Sequence, residues 1–467
     1  MSDVRVETGV SAELIHNCGC YCRENTKVKI GKGGVRMNWR DHFKGQTVIA
    51  PEAVTKIKSG NRVVVGHACG EPKSIVEAMV DRARELSNVE IVHMVSMGRA
   101  RYCLPEYEKS FRHNAFFVGE TSRKAIKEGR SDYTPCFLHE IPMLFRDDIL
   151  PVDVALITVS PPDKLGFVCL GISVDYTLQA ASSAKTVIAE VNPNMPRVGG
   201  NSYLHVNNIH YFVPSEDPLI ELGPPAIGEV EKAIGRNVAQ LIKDGDCLQL
   251  GIGAIPDAVL SFLGDKKDIG IHSDMVSDGV MKLFNEGIIN GRKKTFHTEK
   301  IVFSFAMGTH RFYSWLNDNS IVEAYPVDYT NDPFNIARND NMVSINSALS
   351  VDLLGQVAAD TLGTTQYSGV GGQVDFVRGA ARSRGGRSII ALPATAAKET
   401  ESRIAVTLMQ GQAVTTSRND VDYVVTEYGI AKLKGKTVKQ RSEELINIAH
   451  PQFRDQLRHE RNKIYGI

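Results

Sequence analysis

Short apolar runs alternate with amphipathic segments along most of the chain. Apolar runs bounded by turn residues are typical of buried strands. They lie at 62–65, 89–95, 153–159, 185–191, 247–250, 269–273, 301–305, 342–346, 388–392 and 423–426. Apolar residues on one helical face predict helices between them, most clearly at 73–86, 229–243 and 452–463. Strands that alternate with helices predict an α/β fold with mainly parallel sheets.

The pattern divides the chain into two similar halves. Prolines interrupt every regular element between residues 213 and 227, so we place a domain boundary there. We expect an N-terminal α/β domain at 37–222 and a C-terminal one at 223–467. Residues 57–72 and 242–256 repeat one order of features: helix, turn, buried strand, glycine turn and proline-started helix. Since parallel sheets bind ligands beyond the carboxyl ends of their strands, we expect the active site in the cleft between the domains.

Residues 1–36 form a further segment that shows no sustained period, and we expect a disordered N-terminal extension. Cys18, Cys20 and Cys22 form a C-x-C-x-C cluster near His16. Two interpretations fit this cluster: a soft-metal site or a tail without a ligand. No second ligand pair with zinc-type spacing follows in the sequence.

The composition argues against several classes of protein. Lys plus Arg and Asp plus Glu both number 54 among 467 residues, so the formal net charge is zero and nucleic-acid binding is not expected. No apolar run approaches the roughly 18 residues of a membrane span, and no sustained apolar stretch near the start predicts a secretory signal. Five further cysteines are scattered singly among apolar segments, which is typical of reduced cytoplasmic proteins.

Two glycine-rich motifs indicate a ligand site. Residues 251–256 follow an apolar strand and begin a helix, an arrangement that favours an anion, although a tight turn would also explain it. Residues 368–376 hold three glycines within four positions. Such a stretch indicates close backbone approach to a ligand or a nest of donors for an oxyanion. A surface loop is the alternative, which the flanking apolar residues disfavour.

Two aspartates follow the strand predicted at 269–273. Asp274 stands at its carboxyl end, where a carboxylate would point into the cleft. It could be a nucleophile or a base, and the residues alone leave that choice open. Asp278 could be a second acid, but we favour a capping role for Ser277 or Asp278 on the helix that runs through Asn285.

The motifs resemble those of family I CoA-transferases of the acetyl-CoA hydrolase/transferase family. The matching segments are GIGAIPDAV at 251–259, GIHSDMVSDGV at 270–280, SGVGGQVDF at 368–376 and VVTEYGIAKLKGKT at 424–437. They are most similar to the 4-hydroxybutyrate (butyrate:acetate) CoA-transferases. The resemblance runs from Asn38 to the end of the chain. It implies two similar α/β domains, a homodimer or higher homo-oligomer, and CoA as a substrate without a permanently bound cofactor or metal.

The resemblance also implies a reaction and a set of site residues. CoA would pass between a short-chain acyl-CoA and a carboxylate of the acetate, butyrate or 4-hydroxybutyrate type, as in butanoate metabolism. A carboxyl group of the enzyme would carry CoA as a thioester between the two half-reactions. Asp274 matches the nucleophile, Gly372 an oxyanion and CoA-contacting glycine, and Asn331 an active-site asparagine. The residues that match CoA contacts are Gly251, Ile252, Gly253, Ala254, Ile255, Leu349 and Arg384.

The sequence departs from the family at the nucleophile. The family motif is His, then Ser or Thr, then Glu, whereas this chain has His272-Ser273-Asp274. Aspartate keeps the carboxylate but is one methylene shorter, and a displacement near 1 Å can cost about 100-fold in rate. Asp274 could work in a shifted cleft, transfer could be weak so that acyl-CoA hydrolysis or acyl-CoA binding remains, or the substitution could have been made to silence the enzyme.

A first prediction concerns the N-terminal extension. Met37-Asn38-Trp39 resembles a family amino terminus, so we expect Met37 to be the native start and deletion of residues 1–36 to leave folding and activity intact. The intact mass of the protein from its native host tests the start, and a chain beginning near Ser2 would contradict it. The melting temperature and CoA-transfer rate of the shortened chain, measured beside the full chain, test whether the segment contributes.

Overall fold

Two open sheets of mainly parallel strands organise the protein, which we describe from a computed structural model covering residues 38–251 and 253–467. Residues 1–37 and Ile252 lie outside this range, so the cysteine cluster near His16, the proposed start at Met37 and the role of Ile252 stay predictions. The first sheet has seven strands in the order β7-β6-β5-β1-β2-β3-β4, and every neighbouring pair is parallel. These strands are β1 Arg62–Val65, β2 Val89–Val92, β3 Phe111–Ala115, β4 Ser131–Tyr133, β5 Val154–Val159, β6 Thr186–Val191 and β7 Tyr211–Pro214.

The second sheet has the order β15-β14-β13-β12-β8-β9-β10-β11, with the two-residue strand Gly199–Gly200 at its far edge. All pairs are parallel except the hairpin formed by β14 and β15. Its other strands are β8 Cys247–Leu250, β9 Gly270–His272, β10 Ile301–Phe303, β11 Val322–Ala324, β12 Met342–Ser347, β13 Arg387–Ala391, β14 Tyr423–Thr426 and β15 Gly429–Lys432.

The two sheets share one topology, which confirms the internal repeat predicted from the sequence. In each, the first strand is central, the next three strands lie on one side and the following three on the other; the second sheet adds β15 and Gly199–Gly200 at its two edges. Val63 of β1 pairs with Ile91 and Val154, and Leu248 of β8 pairs with Ile271 and Val343. The strand order therefore reverses beside β1 and beside β8. At such a switch point the loops diverge and leave a crevice for ligands.

Helices cover the two main sheets, and short strands pair with one another in the loops. The helices are α1 Trp39–Gly45, α2 Ala50–Ala53, α3 Lys73–Asp81, α4 Glu120–Lys127, α5 Ile141–Arg146, α6 Thr177–Ser183, α7 Glu229–Ala239, α8 Ala254–Ser261, α9 Asp278–Asn285, α10 His310–Leu316, α11 Val327–Thr330, α12 Pro333–Ala337, α13 Gln373–Arg382, α14 Val438–Asn447 and α15 Arg454–Tyr465. The short strands pair Phe167–Cys169 with Tyr203–His205, Met275–Val276 with Phe305–Ala306, Ser350–Asp352 with Val357–Ala358 and Ile404–Ala405, Thr361–Leu362 with Thr365–Gln366, and Thr395–Ala396 with Glu401–Ser402.

Packing of the helices follows the apolar pattern. Ile75, Val76, Met79 and Val80 form the buried face of α3, as predicted. A close approach fixes α7 against α8, because a Cβ atom at Gly235 would lie only 2.8 Å from the carbonyl carbon of Ala258. One apolar core includes residues of both sheets, among them Val64 and Leu248. Within the described residues, no helix is both long and apolar enough to cross a membrane.

The structure contains the predicted helices and strands, but the bounds of some of them differ. The predicted helix at 229–243 ends at Ala239, and residues 215–228 before it have neither helix nor strand. The predicted strand at 301–305 is interrupted at Ser304, because the backbone N–H groups of Ser304 and Phe305 both donate to the Asp274 carbonyl oxygen at 2.9 Å. This interruption ties the backbone of the predicted nucleophile to the neighbouring strand.

Candidate active site

A cavity of about 390 Å³ lies where loops from the carboxyl ends of both sheets meet. Its walls come from both halves of the chain, so neither half encloses it alone. The lining includes His67, Met94, Val95, Phe117 and Leu138 from the first half, and Gln249, Gly251, Asp274, Asn346 and residues 367–373 from the second. This cavity lies where the active site is predicted, between two similar α/β halves. Its role as the active site stays a prediction.

Asp274 occupies the end of β9 and is held by backbone groups. Its carbonyl oxygen accepts the two hydrogen bonds from the neighbouring strand, which fix the main chain. Its side-chain Oδ1 accepts from the backbone N–H of Met275 at 3.1 Å and from the hydroxyl of Ser273 at 3.4 Å. The carboxylate is therefore kept close to its own main chain at the wall of the cavity.

Burial makes the Asp274 carboxyl group hard to ionise. Removal from water raises its pKa to about 6, and the negative charge of Asp375 acts in the same direction. Hydrogen bonds from the Met275 backbone and from the Asn331 amide act against the rise. The group consequently titrates close to neutral pH, within the range that suits a catalytic acid, base or nucleophile.

Gly372 touches the carboxylate so closely that no side chain fits there. A Cβ atom at this position would overlap Asp274 Oδ2 and would lie 2.6 Å from Asn331 Nδ2. Gly372 has φ −88°, which any residue can adopt, so the close approach rather than the backbone conformation requires glycine. It precedes the ten-residue helix α13, whose first N–H groups have no acceptor within the helix. The glycine motif thus brings the amino end of α13 next to Asp274.

The same motif closes the cavity against the first half. A Cβ atom at Gly369 would lie 2.7 Å from the carbonyl oxygen of Phe116, so the two loops are in direct contact. The backbone N–H of Val118 donates to the Ser368 carbonyl at 3.3 Å, and the Arg123 side chain donates to the Tyr367 carbonyl at 3.0 Å. The predicted surface-loop alternative for this motif is wrong, because the loop is packed between the two halves.

Asn331 lies beside both carboxylates. It follows α11 and is fully buried. Its Nδ2 donates to Asp375 Oδ2 at 3.4 Å, and the amide also acts to lower the pKa of Asp274. Its Oδ1 has no partner among the described residues. The structure therefore brings together Asp274, Asn331 and Gly372, which the resemblance assigned to one site.

His67 faces the cavity from the first half, and sequence reasoning missed it. Its Nδ1 contacts Asp175 Oδ2 at 3.3 Å, and its backbone N–H donates to the Ser173 hydroxyl at 3.1 Å. Its Nε2 is buried without a partner among the described residues. The signal was present in the repeat, because His67 lies in the glycine turn after β1 that corresponds to the turn after β8.

The predicted CoA loop follows β8 at the edge of the cavity. Gly251 donates its backbone N–H to the Ile345 carbonyl at 3.2 Å, and Gly253 has φ +112° where the chain turns into α8. A second cavity, of about 200 Å³, has Gly253 in its wall and shares Gly251 and Met275 with the first. Ala254 begins α8, and Ile255 is buried within it. The turn therefore stands between two adjoining cavities.

Three predicted residues lie apart from Asp274. Leu349 follows β12 and bonds to Ala358, just beyond the lining residue Ser347. Arg384 precedes β13 at the amino end of that strand, where its Nε donates to Asp340 at 3.0 Å. The cavity lies at the carboxyl ends of the strands, so the structure does not support a CoA contact at Arg384.

Asp278 begins α9 but accepts a hydrogen bond from the Thr309 hydroxyl at 2.6 Å. Neither Asp278 nor Ser277 caps the helix through its side chain.

Comparisons with known proteins agree with this architecture. Profiles of the acetyl-CoA hydrolase/transferase N-terminal and C-terminal domains match residues 33–221 and 308–461. The 4-hydroxybutyrate coenzyme A transferase of Clostridium kluyveri is 57% identical over 91% of this chain and 100% of its own. The butyryl-CoA:acetate CoA-transferase of Anaerostipes caccae is 40% identical over 90% of this chain and 97% of its own. The crystal structure of a 4-hydroxybutyrate CoA-transferase from Porphyromonas gingivalis has a TM-score of 0.80 and 43% identity, over 92% of this chain and 100% of that one.

The chain belongs to the acetyl-CoA hydrolase/transferase family and is an enzyme of the CoA-transferase type.

A second prediction concerns Gly372. Its replacement by alanine should reduce turnover by at least about 100-fold, because the added methyl group displaces the Asp274 carboxylate from its preorganised position. Stability should fall by less than about 2 kcal/mol, since the atoms that must move are side-chain ends. Turnover assays and thermal unfolding measure the two effects. Gly264→Ala, where a Cβ atom meets open space, is the control; unchanged turnover in Gly372→Ala would remove the motif from the site.

A third prediction concerns pH-dependent stability. Burial raises the pKa of Asp274 to about 6 from an ordinary value near 3.8, so the folded state loses stability as pH rises through this interval. Asp274→Asn cannot ionise and should not suffer this loss. We expect the variant to gain melting temperature over the parent at pH 8 and to gain little or nothing at pH 4. An equal difference at both pH values would show that Asp274 does not titrate in this range.

Proposed function

We propose that this enzyme transfers CoA between a short-chain acyl-CoA and a free carboxylate by ping-pong catalysis at Asp274. The observation that carries the proposal is the position of the Asp274 carboxylate, buried in a cavity between two α/β halves and in contact with Gly372 at the start of a helix. A buried carboxylate next to backbone donors is suited to attack a thioester, because the donors can receive the charge that develops on the carbonyl oxygen.

The proposed reaction proceeds in two exchanges on the enzyme. The Asp274 carboxylate attacks the acyl-CoA carbonyl carbon, the carbon–sulfur bond breaks, and a mixed anhydride and CoA thiolate form. The thiolate then attacks the carbonyl carbon of Asp274, which releases the first carboxylate and leaves CoA as a thioester on the enzyme. A second carboxylate repeats the steps in reverse, so that one thioester replaces another and Asp274 is regenerated. No net redox change or external proton is required.

We propose that the amino end of α13 stabilises the oxyanion, the negative oxygen that forms when the thioester carbonyl carbon is attacked. Gly372 lies against Asp274, and the first N–H groups of this helix lack intrahelical acceptors. The Gln373 N–H already donates to the Val370 carbonyl at 3.3 Å, so we assign the role to the other N–H groups of this first turn. They would stabilise negative charge on the thioester carbonyl oxygen, an effect worth about 100- to 1000-fold per donor. Burial of the site strengthens these interactions because competing water is reduced.

We assign the arm of CoA to the adjoining cavity beyond Gly251. The two cavities share Gly251, Met275 and Met307, so a long flexible substrate could lie across both with its thioester at Asp274. Backbone contact at the glycine turn would hold that arm. Binding energy gained there would help to position the thioester for attack.

The remaining parts of the proposal concern substrate and setting. The relatives' names support acetate, butyrate or 4-hydroxybutyrate as the class of acid, and butanoate metabolism as the setting. We further propose a homodimer or higher homo-oligomer in the cytoplasm, with segments at 1–36, 37–222 and 223–467. We propose no permanently bound cofactor; within the described residues, no group of three or more His, Cys, Asp or Glu side chains is arranged to hold a metal.

Acyl-CoA hydrolysis is the second candidate. Asp274 is one methylene shorter than the glutamate of the family motif, and its Oδ1 is held back by the Met275 N–H. If transfer is slowed, water could intercept the anhydride or the thioester. Release of free thiol without an acceptor acid would mark hydrolysis, whereas stabilisation by acyl-CoA without turnover would mark a binding protein with attenuated catalysis.

A fourth prediction concerns the length of the nucleophile. Asp274→Glu should raise transferase activity by at least about tenfold, equivalent to about 1.4 kcal/mol in the barrier. The longer side chain would leave the contact with Met275 and reach further into the cavity. Exchange of labelled acetate with butyryl-CoA measures the rate.

Asp274→Ala is the matched control, and it should abolish exchange while acyl-CoA binding persists. A slower Asp274→Glu enzyme would show that the site is adapted to aspartate. Exchange at the parent rate in Asp274→Ala would show that another residue carries the chemistry.

A further inference from the structure

A polar pair joins the two halves of the chain close to the active-site carboxylate. His139 lies in the short 3₁₀ helix Leu138–Glu140 of the first half, and Asp375 lies in the first turn of α13 in the second half. His139 Nδ1 is 2.7 Å from Asp375 Oδ1, and the His139 backbone N–H donates to Asp375 Oδ2 at 3.2 Å. Two contacts from one residue therefore fix the orientation of a carboxylate that is only 1% exposed.

The contacts continue from Asp375 to the nucleophile through one side chain. Asp375 Oδ2 also accepts from Asn331 Nδ2 at 3.4 Å, and the Asn331 amide acts to lower the pKa of Asp274. Both Asn331 Nδ2 and the Asp274 carboxylate lie against Gly372, and an amide nitrogen has a second hydrogen that is available to Asp274. The orientation of Asp375 therefore influences how Asn331 faces Asp274.

The chain of contacts also balances charge. The charge of the buried Asp375 raises the pKa of Asp274 further, beyond the effect of burial. Burial acts to lower the pKa of His139, but its hydrogen bond and ion pair with Asp375 outweigh this and leave the pKa raised. His139 is therefore protonated in mildly acidic solution, where its charge offsets that of Asp375.

We propose that His139 is a positioning residue, which acts through Asp375 and Asn331 to orient the Asp274 carboxylate and to offset the negative charge buried beside it. This inference rests on the proposed function, in which Asp274 is the nucleophile. It assigns His139, from the half opposite to the nucleophile, a role that depends on contact between the two halves. Leu138, its neighbour, lines the cavity itself, so the 3₁₀ helix is continuous with the active-site wall.

Several other charged groups lie near this network. Glu140 on the same 3₁₀ helix and Asp332 before α12 also favour a proton on His139. Asp328 on α11 faces His139 but has its own partner, with Arg146 at 3.5 Å. Across the cavity, Asp274 faces His67 with its partner Asp175. None of these groups changes in the variants below.

A fifth prediction follows, with the pH profile of kcat/KM as the readout. The acid limb of the parent should report ionisation of the nucleophile. His139→Asn keeps a neutral donor near the position of Nδ1 but loses the charge, so Asp375 is less compensated and Asp274 ionises at higher pH. We expect its acid limb to shift upward by about one pH unit. Near pH 8, where Asp274 is ionised in both proteins, the kcat/KM of the variant should return to within about twofold of the parent.

Asp375→Asn should shift the acid limb in the opposite direction. This change removes the negative charge that opposes ionisation of Asp274, so the limb should move to lower pH. Opposite shifts from the two members of one pair are not expected from a general loss of packing. His459→Asn, on the exposed face of α15, is the matched control and should leave the profile unchanged.

The outcomes separate this inference from the proposed function. Asp274→Ala is assayed in parallel: continued exchange would overturn the assignment of the nucleophile. If Asp274→Ala is inactive but His139→Asn and the parent have the same acid limb, the role of His139 is overturned and the nucleophile stands. If folded His139→Asn protein loses kcat/KM by the same factor at all pH values, the contact has only a structural role and the inference is overturned. If Asp375→Asn fails to fold, the shift of the acid limb in His139→Asn alone decides whether the proposed role of His139 holds.

Discussion

Burial of two neighbouring carboxyl groups, Asp274 and Asp375, is the constraint on which the site depends. Each loses solvation in the folded protein, and the charge of Asp375 adds to the free energy required to ionise Asp274. Such groups remain in place only if donors are supplied. The Met275 backbone, the Asn331 amide and the two contacts from His139 supply them. The result is a carboxylate that ionises close to neutral pH in a position shielded from water.

The duplicated fold explains how these groups come together. Both halves have the same strand order, and in both the glycine turn after the first strand lies at the switch point of the sheet. One turn carries His67 and the other carries Gly251, and the two line one cavity. The donors around Asp274 belong to the second half, whereas the pair His139–Asp375 requires the first. A single half would therefore hold the proposed nucleophile without the residue that we propose orients its neighbours.

Much of the fold was predictable because the strands are short, apolar and bounded by turn residues. The strands β1, β8 and β14 have the predicted bounds, and the repeat at 57–72 and 242–256 correctly indicated the shared topology. Strand β3 was missed because it buries His113 and Asn114, which interrupt the apolar pattern. The interruption at Ser304 was also hidden, since it depends on hydrogen bonds to a residue distant in the sequence.

The site was predictable only in part. Asp274, Asn331 and Gly372 were found through motif resemblance, and the structure brings them into contact. His67 was missed although the repeat places it in the turn that corresponds to the one after β8. The pairing of His139 with Asp375 carries no local signal, because it depends on which loops the two sheets bring together. Arg384 was assigned to the site by a loose motif match, but in the structure it lies at the amino ends of the strands, opposite to the cavity. The sequence pattern thus identified the helices and strands, whereas the hydrogen-bond partners of each polar group could be identified only from the folded structure.

The central claim is that Asp274 carries CoA covalently between the two half-reactions. The direct measurement is mass spectrometry of the peptide containing Asp274 after incubation of the enzyme with acyl-CoA in the absence of an acceptor acid. The account predicts a CoA thioester on Asp274 that disappears when a carboxylate acceptor is added and that is absent from Asp274→Ala. A CoA adduct on another residue, or exchange without any adduct on Asp274, would contradict it.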